Sequence, residues 1–132
     1  MRIALALFCA IIALAACTRS TTGAAVPPAG VTTLPRSDED QITALVDAFE
    51  QAWNGRQFGE LRDLMCAQMR SQTEFGEDGL REARADSGRL SLEITELEIT
   101  GDSAESIIEN NGDDPDDIAF VREDGEWKWC EF

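Results

Sequence analysis

The residues of this chain that could do chemistry are few and unevenly placed. Its cysteines are Cys9, Cys17, Cys66 and Cys130, and its densest run of carboxylates is Asp113-Asp114-Pro115-Asp116-Asp117. There is no His and no Tyr, so the commonest general base and the commonest transition-metal ligand are both missing. Carboxylates suit Ca²⁺, but the acidic run lacks EF-hand spacing, and proline between acid pairs is ordinary turn chemistry. A solvated loop is expected there, with calcium as the alternative, and no resident metal or cofactor is expected. Glu50 and Glu93 are acids that could act alone. Without a visible base–donor pair they read as solvated surface, and catalysis is not expected.

The chain carries 26 Asp and Glu against 11 Lys and Arg, for a net charge of −15. Such a chain repels nucleic acid and anionic headgroups. Basic partners and divalent cations remain open, and the simplest role of the acidity is solubility.

The cysteines take their meaning from their surroundings. Met1-Arg2 is followed by an uncharged, mostly apolar run from Ile3 to Ala16, the layout of a secretory signal. As a helix the run would span about 21 Å, short of the ~30 Å hydrocarbon core of a bilayer. It ends Leu14-Ala15-Ala16-Cys17, which resembles the bacterial lipobox. That resemblance implies diacylglycerol transfer to the Cys17 thiol, cleavage before it, and stable anchoring by acyl chains such as palmitate. The alternative is a plain secretory signal with a chance cysteine. With residues 1–16 removed and Cys17 acylated, Cys66 and Cys130 remain, and two thiols in an exported chain tend to pair. The loop closed would be about 65 residues, worth roughly 4 kcal/mol in the chain-entropy model. Two separate buried thiols are the alternative, and a redox role is disfavoured because no C-x-x-C spacing exists.

Three segments follow from this reading: a leader over 1–16, the lipidated cysteine and a flexible linker over 17–36, and one domain over 37–132. Pro27, Pro28 and Pro35 interrupt the linker, which is too poor in large apolar residues to fold. Its root-mean-square reach is roughly 25 Å.

The domain opens with Ser37 as an N-cap, then Asp38-Glu39-Asp40 at the positive end of a helix dipole. Ile42, Leu45, Val46, Phe49 and Trp53 form one apolar helical face, stopped by Asn54-Gly55. A second helix is expected over 58–66 with Phe58, Leu61, Leu64 and Met65 inward, then a turn and loop over 67–76, and a third helix over 77–85. The period then changes. Leu90, Leu92 and Ile94 alternate with polar residues, and Leu97 and Ile99 continue in the opposite parity. That shift predicts a β-bulge at Thr95-Glu96. Strands over 103–109, 118–123 and 126–132 follow, the last two joined at Asp124-Gly125. Helices first and strands after indicate an α+β fold, with helices packed on a four-stranded antiparallel meander.

The first helix, the short helix, the bent meander and the ending Glu-Asp-Gly-Glu-Trp-Lys-Trp-Cys (residues 123–130) together resemble the nuclear transport factor 2-like superfamily. More narrowly, they are similar to small exported proteins of that fold from mycobacteria and related actinobacteria. The resemblance implies a curved sheet wrapped on helices as an open-ended cone. Ketosteroid-isomerase-like members use a cavity Asp with a Tyr, and others a His–Asp pair; neither arrangement has residues here to occupy it.

The expected function is a lipid-anchored domain on the extracytoplasmic face of the cell membrane, acting as a non-enzymatic scaffold for another envelope protein. The alternative is binding of a small hydrophobic or lipid ligand, with Phe49, Trp53, Phe58, Trp127 and Trp129 lining the cone. Core packing would explain each aromatic equally well. Trp127 and Trp129 fall on one strand face, and Lys128, Cys130 and Phe132 on the other. With bulk on both faces, one Trp is expected to be exposed or at a pocket mouth.

Overall fold

The computed structural model describes residues 36–131. The expected leader over 1–16, the expected lipidation site Cys17, the expected linker up to residue 35 and the terminal Phe132 lie outside the described residues. Among the described residues, no helix is long and apolar enough to cross a membrane.

The chain runs α1 (Asp38–Gly55), α2 (Phe58–Asp63), the one-turn helix α3 (Ala67–Arg70), a 3-10 turn (Thr73–Phe75) and α4 (Glu77–Ser87). The strands β1 (Leu92–Thr100), β2 (Ser103–Asn110), β3 (Asp116–Glu123) and β4 (Glu126–Trp129) follow. They form an antiparallel meander in the order β1-β2-β3-β4.

Local chemistry explains most boundaries. The Ser37 hydroxyl accepts the Asp40 amide at 3.1 Å and caps α1, and three acids occupy its first turn. The helix ends at Gly55, where the expected Asn54-Gly55 stop lies, and is capped by Arg56 in a left-handed conformation with φ 58°. Helix α2 stops at Asp63, short of the expected Cys66, because the sheet claims the backbone beyond it. The Trp129 amide donates to the Leu64 carbonyl at 2.9 Å, and the Cys66 amide donates to the Trp129 carbonyl at 2.8 Å. Met65 thereby makes a parallel bridge to Trp129, outside the edge of β4.

The bulge lies where the change of parity places it. Ile94 pairs with Ile108 and Glu96 with Ile107, so one residue of β1 is extra. Leu92, Ile94, Leu97 and Ile99 consequently all face the helices, half-buried against the core. A bulge bends and twists its strand, and the sheet curves over α1. Along β1 and β2 the outer face is acidic, with Glu93 opposite Glu109 and Glu98 opposite Glu105.

One core joins the layers. Ile42, Phe49 and Trp53 of α1 meet Leu61 of α2, Phe120 of β3 and Trp129 of β4. The Phe49 ring stacks on Trp129 with centroids 4.1 Å apart, and Phe120 meets Trp129 edge-on at 5.5 Å. Cys66 and Cys130 form a disulfide across a sequence separation of 64. It joins the residue before α3 to the residue after β4.

Candidate functional site

The segment between α4 and β1 is held to α1 by side chains from one stretch of that helix. The Trp53 indole N–H donates to the Gly88 carbonyl at 2.9 Å. Asn54 donates to the Leu90 carbonyl at 2.8 Å and accepts the Leu90 amide at 2.9 Å. Glu50 accepts the Leu92 amide at 2.8 Å. Glu50 is therefore a partly buried anchor for β1, whereas Glu93 is exposed on the outer face of the sheet. These bonds hold α4 beside the sheet with a space between them.

That space is a cleft of about 680 Å³, open to solvent on one side. Its apolar wall is built from Phe49 and Trp53 of α1, Leu80 and Ala83 of α4, and Leu92, Ile108, Ile118 and Trp129 of the sheet. Met65, Met69, Phe75 and Leu90 complete it. The two methionines bring flexible, polarizable side chains that fit irregular shapes. Exposed residues of α4, among them Glu82 and Asp86, form part of its mouth. The volume lies within the ~300–1,000 Å³ range of small-molecule sites.

Three of the five aromatics expected in a pocket are brought together here: Phe49, Trp53 and Trp129. Two are not. Phe58 is buried in the core and borders a separate groove with Arg56, Arg81 and Arg84 instead. Arg81 lies over its ring at 5.8 Å. Trp127 is buried, 5 % exposed, and serves the β3–β4 hairpin. Its indole N–H donates to the Asp38 carboxylate at 3.3 Å, and the Arg122 guanidinium lies 4.7 Å from its ring centroid. Arg122 also pairs with Asp38, and these contacts hold the Asp38 carboxyl below the usual carboxylate range, Arg122 contributing most.

Of the expectation that one Trp of β4 is exposed or at a pocket mouth, exposure is not found, Trp129 being 4 % exposed, but Trp129 does line the cavity. The strand ends at Trp129, and Cys130 turns inward to its disulfide. The second face thus never carries the bulk that alternation assigned to it. The Met69 and Phe75 walls were also missed, since both lie in a segment that reads as turn and loop. Their apolar character amid polar neighbours was the available signal.

The acidic run over 113–117 is exposed. Among the described residues, no three carboxylate, thiol or imidazole groups converge on a point that could hold a metal ion.

No protein-family model matches the chain, and no curated protein is significantly similar to it. Solved structures do match its fold. One is assigned as a nuclear transport factor 2-like transpeptidase from Campylobacter jejuni. It is 15% identical with a TM-score of 0.52, over 69% of this chain and 98% of that one. Another is assigned as a calcium/calmodulin-dependent protein kinase type II association domain from Thiobacillus denitrificans. It is 18% identical with a TM-score of 0.50, over 66% of this chain and 87% of that one. At such identities the likeness is one of fold. The α+β domain, with its N-terminal helices on a curved four-stranded antiparallel sheet, has the nuclear transport factor 2-like fold.

Proposed function

We propose that this protein is a lipid-anchored, extracytoplasmic binding domain that takes a small hydrophobic ligand into its cone and does not transform it. The observation that carries this reading is the apolar cavity between α4 and the sheet, walled by Phe49, Trp53, Trp129 and the methionines. A scaffold needs no such space, so the cavity favours ligand binding over the purely scaffolding role. The chain has no His or Tyr, which leaves the apolar wall without the usual partners for proton transfer. The anchor is the Cys17 lipid implied by Leu14-Ala15-Ala16-Cys17.

A polarity-sensitive dye tests the cavity. Saturable 1:1 binding is expected, with quenching or shift of Trp emission, because Trp53 and Trp129 line the wall. Replacing Ala83, exposed on α4 at the cavity wall, by Phe should weaken dye binding at least about tenfold. Undiminished binding in Ala83→Phe would move the site elsewhere. Mass spectrometry of an organic extract of the purified protein would then identify the natural cargo. The anchor is tested separately: Cys17→Ser should leave the detergent phase on partitioning, and unchanged partitioning would remove the lipid from the proposal.

A further inference from the structure

The lining of the cavity is one-sided in charge. Glu74 from the 3-10 turn, Glu82 and Asp86 from α4, Asp116 at the start of β3 and Glu131 after β4 all line it, and no Arg or Lys does. These acids come from four separate segments, and all five are exposed. None belongs to a salt bridge among the described residues. The acids that do find cations are elsewhere: Asp38 and Asp102 with Arg122, Asp78 with Arg81, Glu123 with Arg70, and Glu126 with Lys128.

Helix α4 shows the separation within one element. Glu82 and Asp86, one turn apart, line the cavity, while Arg81 and Arg84 line the groove on the other side. Like charges at this spacing oppose helix formation, and no cation is placed to relieve them. The wall behind them is aromatic, with Phe49, Trp53, Phe75 and Trp129.

Resting on the reading of the cavity as a hydrophobic-ligand site, we infer that its ligand is an amphipathic cation. Such a molecule has an apolar body within the cavity and an amine or quaternary ammonium group at the carboxylate-lined mouth. A neutral ligand would gain nothing from the charge of the five carboxylates. An anionic lipid or fatty acid would bring a like charge against them. A cationic head at the mouth gains the carboxylate field, and the apolar body behind it gains by leaving water.

Three probes of equal chain length separate the terms: dodecyltrimethylammonium, dodecanol and dodecanoate, each below its micelle concentration. Binding is read by Trp emission and calorimetry at low and high salt. The cation should bind at least about tenfold more tightly than the alcohol at low salt, the advantage should shrink with salt, and dodecanoate should bind most weakly. The double variant Glu82→Gln/Asp86→Asn should reduce the cation-to-alcohol ratio several-fold. Glu98→Gln/Glu105→Gln removes the same charge from the outer face of the sheet and should preserve the ratio.

Equal affinities for all three probes would overturn the cationic ligand while leaving an apolar site in place. A ratio that falls equally in both double variants would also overturn it, since the selectivity would then be adsorption onto an acidic protein. Binding of none of the three would overturn both the inference and the reading on which it rests.

Discussion

Asp38 carries more structure than its place in an acidic helix turn announces. It sits in the first turn of α1, accepts from Trp127 and pairs with Arg122, so one carboxylate fastens the start of the helix layer to the β3–β4 hairpin. Because its folded pKa lies below that of an ordinary carboxylate, chiefly through Arg122, the native state favours its ionised form. The stability it contributes is present above the unfolded pKa and is lost as pH falls through the folded one. Asp38→Asn should therefore lower the urea midpoint at pH 7, and the gap from wild type should narrow as pH falls below the ordinary carboxylate range and close once it has passed the lowered folded pKa. A gap independent of pH would assign the effect to packing. Ser37 and Asp38 were legible as cap and dipole partner because those roles depend on residues within one helical turn. The contacts of Asp38 with Arg122 and Trp127, 84 and 89 residues away, are set by tertiary packing and leave no local trace.

At the scale of elements, the hydrophobic period decided what was legible. The apolar face of α1 and the parity shift in β1 are both periodic signals, and both elements lie where those signals put them. The end of α2 was not legible, because Leu64, Met65 and Cys66 have helical spacing yet surrender their backbone to Trp129. The disulfide secures that exchange. Replacing Cys66 and Cys130 together by Ala should lower unfolding stability by roughly 4 kcal/mol, the chain-entropy value for a loop of about 65 residues, read from urea unfolding with a lower midpoint and a steeper slope as the uncrosslinked chain expands. A loss below ~1 kcal/mol would mean that the hydrogen bonds around Met65 already fix the geometry. Helix α4 is held differently. It packs on the 3-10 turn and α2, and reaches α1 through Arg84, whose Nε donates to the Trp53 carbonyl, and through the Trp53–Gly88 bond. Its amides should exchange with deuterium faster than those of α1 and β2, and a ligand in the cavity should slow them selectively.

For the molecule as a whole, the fold class was readable because helices and strands occupy separate halves of the domain. The cavity was readable only in part. Phe49, Trp53 and Trp129 were singled out as aromatics on periodic elements, but the same criterion admitted Phe58 and Trp127, which pack elsewhere. Whether an apolar residue faces a core or a void depends on how far apart two layers stand. Here that spacing is set by Glu50, Trp53 and Asn54 holding Gly88, Leu90 and Leu92, polar contacts that hydropathy does not register. The carboxylates of the mouth were individually plain surface residues, and only the assembled fold brings Glu74, Asp116 and Glu131 to one opening.

The outer rows of the sheet have a consequence for how these molecules meet one another. The β4 edge is bonded to Leu64 and Cys66 on either side of the Met65 bridge, and the β1 edge is interrupted by its bulge and flanked by exposed Glu93, Glu96 and Glu98. Both are devices that keep a strand from recruiting a neighbour's strand. On the proposed tether, copies of the domain share a thin layer above a bilayer, where crowding would punish any sticky border. The repulsion between Glu93 and Glu109, and between Glu98 and Glu105, costs stability in one molecule and favours separation among many. Glu93→Val/Glu98→Val should give a domain that unfolds at higher urea yet sediments as larger species as concentration rises.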